Sequence, residues 1–227
     1  MPIRSSKLPR SRLEPQLAEF PGVVMLEGQL PQYRGRWGGG GRRLIVEVGC
    51  ADGATLVNVA RRHPERLFFG IDWKCKDILD AAACVVQQEL TNVRLARWRA
   101  QDLGVFVAPG EAEEIWVFHP EPCEREEERP NRLVSAEFLQ TAVEALDAGG
   151  RFVLKTDHRG YFDWVQAQIE AMPRQQFGVE ICSVNFWNDP PALEATATAL
   201  WSGQISRYEM RFHQKRKPIH FLQLRKR

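Results

Sequence analysis

The chain has 227 residues, of which 44% are hydrophobic and 26% are charged, which is ordinary for one globular domain with a large core. No apolar run approaches the roughly 20 residues of a membrane span, and the basic N-terminus lacks the apolar stretch of a secretory signal. We therefore expect a cytoplasmic protein without a membrane partner. The five cysteines form no CxxC pair, so their spacing predicts neither a metal site nor a disulfide framework.

The two ends of the chain differ from its middle. Residues 1–42 are rich in Pro, Gly and Arg, which predicts an irregular basic segment in front of one domain over residues 43–227. Residues 211–227 are basic and contain no acidic residue. Clustered cations can bind phosphate or can simply form a solvated surface, and the sequence leaves both interpretations open. A monomer and a homodimer are equally compatible with it, and whether the N-terminal segment covers the cleft is also open.

From residue 44 onward, strand patterns alternate with helix patterns. In chain order they predict a strand at 44–48, a helix at 54–62, a strand at 67–72, a helix at 77–90, strands at 93–96 and 114–118, a helix at 135–147, a strand at 151–155, a helix at 160–172, and closing strands at 179–184 and 219–224. Such alternation is typical of a Rossmann-like α/β fold, here with a mostly parallel seven-stranded sheet and helices on both faces. Ligands of these folds bind at the carboxyl ends of the strands.

A glycine-containing loop joins the first strand to the first helix. Gly49 and Gly53 allow a tight turn and close approach of a ligand to the backbone. The next strand ends in Asp72, at a distance that suits the two hydroxyls of a ribose. Glu47 beside the loop would repel a pyrophosphate but suits the cationic amino group of S-adenosylmethionine. The loop therefore favours an S-adenosylmethionine-dependent methyltransferase over a dinucleotide-dependent dehydrogenase.

Three further motifs follow the loop EVGCADG: FHPEPC at 118–123, TDHRGYF at 156–162 and SRYE at 206–209. Together the four resemble the bacterial tRNA (guanine-N7)-methyltransferase family, which carries E-I-G-x-G-x-G, F-F-P-D-P-W with a basic run, T-D-x-x-x-Y and T-x-[YF]-E in the same order. The resemblance covers about residues 44–224. It implies a class I methyltransferase fold, S-adenosylmethionine as cofactor and a guanine in tRNA as substrate.

The resemblance also implies roles for individual residues. The implied catalytic residues are Glu121 and Asp157, and the implied substrate-binding residues are Arg132, Ser206 and Glu209. His119, which stands where the family motif has a Phe, is a further candidate substrate-binding residue, but it could instead be a satisfied core or cleft histidine. The cofactor-binding set is Glu47, Gly49, Asp52, Gly53, Asp72 and Trp73, with Ala100 and Asp102 framing the adenine. Guanine N7 carries a lone pair and no proton, so the enzyme has mainly to align it with the methyl group. Carboxylates can hold the guanine N1–H and N2 edge and stabilise the positive charge of the methylated ring.

Departures from the family pattern leave the substrate open. Glu121 replaces an Asp, Cys123 replaces a Trp, and the family's basic run reads EREEERPNR at 124–132, which opposes binding of a polyanion. The main prediction is methylation of guanine N7 in tRNA. The alternatives are N-methylation of a small purine-like or other N-heterocyclic metabolite, and a binding protein without catalysis. Asp157 could instead cap a helix, Glu209 could be a surface charge on a strand edge, and Glu121 could be a solvated loop carboxylate.

Overall fold

A computed structural model describes residues 10–37, 41–173, 176–204 and 206–227. Its centre is an eight-stranded sheet in the order β1-β4-β3-β2-β5-β6-β8-β7. The strands are β1 (Val24–Met25), β2 (Leu44–Val48), β3 (Leu67–Asp72), β4 (Val93–Arg97), β5 (Ala112–Phe118), β6 (Leu146–Thr156), β7 (Phe177–Ser183) and β8 (His220–Lys226). β1 to β6 pair in parallel, and β8 is antiparallel to both β6 and β7.

Helices connect these strands. They are α1 (Arg10–Leu13), α2 (Ala54–Arg62), α3 (Cys75–Gln87), α4 (Leu103–Phe106), α5 (Ala136–Ala145), α6 (Arg159–Glu170), α7 (Pro190–Ala195) and α8 (Arg207–Gln214). Short 3₁₀ helices lie at Glu14–Glu19, Glu27–Gln32, Ala100–Asp102, Glu126–Asn131 and Phe186–Asn188. No helix within the described ranges is both long and apolar enough to cross a membrane.

The strand β2 shows why this sequence forms a sheet covered on both faces. All five of its residues are buried. Leu44, Val46 and Val48 join one apolar cluster with α4, α5 and α6, whereas Ile45 joins a second cluster with α2 and α3. Successive strand residues point to opposite faces, so a continuous apolar run is stable only when helices cover both. The predicted α/β fold class is thus confirmed.

The N-terminal segment contains more structure than the irregular segment we expected. β1 extends the sheet by pairing with β4, which makes eight strands instead of seven. Leu17 is buried in the cluster beside α3, and the indole Nε1 of Trp37 donates to the Phe106 carbonyl at 2.8 Å. Sequence reasoning missed β1 because a strand of two residues gives no periodic pattern.

The order of the strands determines where a ligand can bind. From β2 the chain proceeds outward through β3 and β4 on one side, and then returns to form β5 and β6 on the other. The carboxyl ends of β2 and β5 therefore flank the point where the strand order reverses, which is the usual ligand site of open α/β sheets. The loops after β2, β3, β4, β5 and β6 all meet at this edge.

Candidate active site

The loop after β2 has the geometry that its glycines predict. The Gly49 and Cys50 N–H groups both donate to the Ile71 carbonyl, which binds the loop to the end of β3. Gly49 and Gly53 have φ values of 79° and 69°, in the left-handed region that favours glycine. A Cβ on Gly53 would lie 2.8 Å from the Ala81 Cβ, whereas one on Gly49 would meet nothing within 4 Å. Gly53 thus allows α2 and α3 to pack closely, and Gly49 leaves its backbone open to a ligand.

Three carboxyl groups, those of Glu47, Asp52 and Asp72, lie close enough to influence one another around this loop. Asp72 is mostly occupied with the loop itself, since its oxygens accept from the Ala51 N–H at 3.0 Å and the Lys74 N–H at 2.8 Å. Glu47 is only 4% exposed, and its Oε2 has no hydrogen-bond partner among the described residues. Burial, together with the charges of Asp52 and Asp72, raises the pKa of Glu47 to about 8. A cation placed here would restore the charge of Glu47 and satisfy its free oxygen.

The other predicted cofactor-binding residues lie at the ends of the next two strands. Trp73 follows β3 and is 63% exposed, so its ring is available to a ligand. Ala100 and Asp102 lie in the short 3₁₀ helix after β4, and Asp102 Oδ2 accepts from the Trp98 indole at 3.1 Å. The backbone N–H of Trp98 donates to the backbone carbonyl of Asp72, and this hydrogen bond joins the ends of β3 and β4. The eight predicted cofactor residues therefore all lie at the carboxyl ends of β2 and β3 or in the loops after β2, β3 and β4, along one edge of the sheet.

A second cluster of ionisable groups lies after β5 and β6. His119 follows β5 with a left-handed φ of 52°, and its N–H donates to the Lys155 carbonyl. Its Nδ1 lies 3.9 Å from Asp157 Oδ1, and its Nε2 lies 3.8 Å from Glu209 Oε2. These distances are too long for hydrogen bonds but short enough for ion pairs. The backbone of His119 thus holds the imidazole between two carboxylates, that of Asp157 directly after β6 and that of Glu209 in α8.

Lys155 belongs to the same cluster, although sequence reasoning assigned it no role. Its Nζ lies 3.2 Å from Glu209 Oε1, deep beneath the cleft. Rings of Phe118, Phe186, Trp187 and Trp201 surround the ammonium with centroids 4.5–5.8 Å away. A lysine inside the apolar strand pattern FVLKT was the signal that could have identified it, because a buried lysine requires a partner.

The electrostatics of this cluster favour alternating charges. Burial lowers the pKa of Lys155 and by itself would raise that of Glu209, but His119 and Lys155 lower the Glu209 pKa overall. Burial likewise opposes the cationic form of His119, yet Asp157 and Glu209 raise its pKa overall. The pKa of Asp157 is lowered by His119 in spite of partial burial. Basic and acidic groups thus alternate from the core to the cleft in the order Lys155, Glu209, His119 and Asp157, and Asp157 is the most exposed of the four.

Two of the nonfunctional interpretations do not hold. The N-cap of α6 is His158, whose Nδ1 accepts from the Tyr161 N–H at 2.9 Å, so Asp157 is not needed as a cap. Glu209 is 2% exposed and lies in α8, so it is not a surface charge on a strand edge. Ser206 is the N-cap of α8, because its Oγ accepts from the Glu209 N–H at 3.1 Å. Ser206 therefore orients Glu209 through the helix.

The remaining predicted residues lie in the loop after β5. Glu121 is exposed there, between Pro120 and Pro122, as the solvated-carboxylate interpretation expects. Arg132 supports the loop from within, since its Nε donates to the Pro122 carbonyl at 2.9 Å and its guanidinium lies over the Tyr161 and Trp164 rings. The structure thus brings Asp157, His119 and Glu209 together, leaves Glu121 at the surface and uses Arg132 to support its loop.

Solved structures with a similar fold include methyltransferases. The 16S rRNA methyltransferase KamB superposes with a TM-score of 0.59 at 17% identity, covering 90% of this chain and 98% of that one. Geranyl diphosphate C-methyltransferase from Streptomyces coelicolor, solved with S-adenosyl-L-homocysteine, superposes with a TM-score of 0.53 at 14% identity, covering 89% and 76%. At these identities the likeness concerns the fold alone.

Curated relatives named tRNA (guanine-N(7)-)-methyltransferase are closer in sequence. The protein of Cytophaga hutchinsonii is 32% identical over 134 residues, which cover 58% of this chain and 61% of the relative. That of Geobacillus thermodenitrificans is 27% identical over 203 residues, 88% of each chain. That of Porphyromonas gingivalis is 32% identical over 162 residues, covering 69% and 65%. The aligned part thus spans less than two thirds of two of these three relatives.

A family model gives the broadest match. The family described as "Putative methyltransferase" matches residues 41–222, which include both ionisable clusters and all eight predicted cofactor residues. The resemblance inferred from four short motifs is therefore confirmed at the level of the family. With its α/β fold and its cleft at the ends of β2 and β5, this chain belongs to that methyltransferase family.

Proposed function

We propose that this protein is an S-adenosylmethionine-dependent methyltransferase that modifies N7 of a guanine in tRNA. The observation that carries the proposal is the arrangement of two different clusters on neighbouring strands. Glu47, whose Oε2 has no partner among the described residues, lies near the end of β2, and His119 and Asp157 follow β5 and β6. The first cluster suits a cationic cofactor and the second suits an aromatic ring with donor groups. The matched region 41–222 supports a catalytic domain over residues 43–227.

The chemistry of the first cluster fits S-adenosylmethionine. The buried Glu47 carboxyl, whose Oε2 has no partner among the described residues, lies next to Asp52 and Asp72 and favours a ligand that carries an amino cation. Each carboxylate oxygen of Asp72 accepts one hydrogen bond from a backbone N–H. Each oxygen therefore keeps a lone pair that can accept a hydrogen bond from a ribose hydroxyl. Trp73 is exposed beside it and offers an aromatic face to adenine. When bound, the cofactor would supply the methyl group on a sulfonium, the electrophile that a ring nitrogen attacks.

The second cluster fits a guanine that needs alignment but no deprotonation. Asp157 is held ionised beside His119 and can accept hydrogen bonds from the N1–H and N2 groups of the base. Glu209 is neutralised by Lys155 and His119, so it acts by fixing the imidazole beneath Asp157. Glu121, on the Pro-flanked loop, would close over the ring from the solvent side. Proximity and the carboxylate charge then supply the catalysis. Because the substrate is a tRNA, we also propose that the protein works in the cytoplasm.

One observation favours a second candidate, the methylation of a small N-heterocyclic metabolite. The loop after β5 is acidic, and Glu124, Glu126 and Glu127 are exposed. Such a loop would weaken the binding of a polyanion at that side of the cleft. The acidic loop would not weaken the binding of an uncharged purine-like molecule.

The test is a transfer assay with labelled S-adenosylmethionine on unmodified tRNA and, separately, on guanosine and related heterocycles. We expect 7-methylguanosine in nuclease digests of the tRNA, identified by mass spectrometry. Incorporation only into the small heterocycles would replace the tRNA proposal with the second candidate. Glu47→Gln is the matched control, because it should weaken cofactor binding measured by calorimetry and reduce transfer to every acceptor alike. A wild-type protein that binds S-adenosylmethionine but transfers nothing to any acceptor would refute catalysis.

A further inference from the structure

The structure divides the basic C-terminal tail into two groups at opposite edges of the sheet. β8 is antiparallel to β6, and His220 pairs with Thr156 at the cleft edge while Arg225 pairs with Arg151 at the far edge. Lys215, Arg216 and Lys217, which we call the basic turn, precede β8 and lie at the cleft edge. Arg225, Lys226 and Arg227 end the chain at the other edge. The two groups have the same charge but very different access to the active site.

The two groups also differ in their partners. Arg225 pairs with Glu180 at 3.2 Å, and Lys226 Nζ donates to the Glu144 and Leu146 carbonyls at the end of α5. In the described part of the chain, no carboxylate forms a salt bridge with any residue of the basic turn, and all three of its side chains are exposed. Cations at the far edge therefore serve the fold, whereas those of the basic turn are available to an anion.

The basic turn is connected to the active site through Phe212. The Phe212 ring lies 5.6 Å from the His119 ring, and Lys217 Nζ lies 5.5 Å from the centre of the same Phe212 ring. Lys217 is also near enough to Asp157 to contribute to lowering the pKa of its carboxyl. An anion held by this turn would therefore lie beside the group that we propose contacts the target base.

Arg216 occupies a position that normally favours glycine. The Lys217 N–H donates to the Phe212 carbonyl at 2.9 Å and the Arg216 N–H donates to the His213 carbonyl at 3.0 Å, which together form a Schellman motif at the end of α8. Arg216 has the left-handed φ of 52° that this motif requires. Glycine adopts this conformation at less cost than arginine, so a substitution to glycine removes the cation without disturbing the turn.

We propose that the basic turn binds the phosphates of the RNA strand that flanks the target guanine. This inference rests on the proposed function and names the surface that replaces the family's basic run, which is acidic in this chain at 124–128. Tyr208 and Met210 on α8 are 54% and 51% exposed and provide apolar contact area next to the turn. The RNA would thus enter from the α8 side and avoid the acidic loop after β5.

The test compares two matched double variants, Lys215→Gln/Lys217→Gln and Arg225→Gln/Arg227→Gln, in tRNA binding at several salt concentrations. Each lost phosphate contact should reduce the slope of log affinity against log salt by about 0.7–0.9. We expect the first variant to lose roughly tenfold or more in affinity at about 0.1 M salt, and the second to resemble wild type. Equal slopes for the first variant and wild type would overturn the proposal, as would an equal loss in both variants.

Arg216→Gly separates a binding role from a structural one. Glycine suits the left-handed backbone, so the melting temperature should be maintained or raised while tRNA affinity falls. A variant that keeps wild-type affinity would contradict the role of Arg216.

Methyl transfer is measured on the same tRNA: wild-type protein that neither binds nor methylates tRNA refutes the proposed function. If wild-type protein does both and the basic-turn variants match it, only the present inference fails.

Discussion

Lys155 and Glu209 form an ion pair whose side chains are only 3% and 2% exposed, with Nζ 3.2 Å from Oε1. The pair joins β6 to α8 and lies beneath His119 and Asp157. Because each charge is nearly excluded from solvent, each depends on the other for its stability.

Breaking this pair should therefore destabilise the fold strongly. We expect Lys155→Met and Glu209→Leu each to lower the free energy of unfolding by about 3–5 kcal/mol. Glu209→Leu leaves the buried Lys155 without its carboxylate, and Lys155→Met leaves Glu209 only the more distant His119, at 3.8 Å. The double variant should lose much less than the sum of the two, which urea denaturation measures as a double-mutant cycle. The exposed Arg159–Asp163 pair of α6 is the control, with an expected coupling below about 1 kcal/mol. Additive losses for Lys155 and Glu209 would contradict the interpretation.

The buried Glu47 should make stability depend on pH. Its folded pKa of about 8 lies above its ordinary value of 4.5, so between these values the folded state holds a proton that the unfolded chain has lost. Stability from this group is present at low pH and is lost as pH rises through about 8, at a slope of up to about 1.4 kcal/mol per pH unit. When unfolding by urea is measured at pH 5.5, 6.5 and 7.5, the free energy of unfolding should fall less steeply with pH in Glu47→Gln than in the wild-type protein. Parallel curves for the two proteins would show that Glu47 ionises normally.

His119 should remain protonated to a higher pH than an ordinary histidine. Asp157 and Glu209 flank its ring and raise its pKa above 6.5 in spite of burial. The stability it contributes is present below pH 6.5 and is lost as pH rises through the folded pKa. We expect ¹⁵N–¹H NMR titration of the ring to give a pKa above 6.5, and Asp157→Asn to lower it. Glu127→Gln, in the exposed loop, is the control; a similar shift in both variants would indicate a general charge effect.

Asp157 should affect the methyl-transfer step more than cofactor binding. In the proposed function its carboxylate contacts the base, while S-adenosylmethionine lies over the loop after β2. We expect Asp157→Asn to lower kcat by about 100-fold, the usual effect of losing one preorganised electrostatic group, with little change in cofactor affinity by calorimetry. Glu121→Gln should have a smaller effect, because Glu121 is exposed. A kcat for Asp157→Asn within a few fold of wild type would exclude a direct role.

Much of the fold was predictable because local patterns were strong. The helix at 54–62 and the strand at 67–72 have the predicted bounds, since glycines and apolar periodicity mark both ends. β6 begins at Leu146 instead of residue 151, because an early pairing with Ala112 is followed by an irregular stretch containing Gly149. Residues 185–210 contain α7 and the start of α8, whose short patterns are too weak to distinguish from loops in the sequence.

The sequence by itself determined the class of fold, the edge of the sheet that carries the ligand, and the candidates Glu47, Asp72 and Asp157. These follow from local order, because strand ends, glycine turns and acidic residues are adjacent in the chain. Only the tertiary structure decided that Lys155 and Glu209 form an ion pair, because these two residues are 54 positions apart in the sequence. It also decided that the basic tail is divided between two edges, since the direction of β8 depends on long-range pairing with β6.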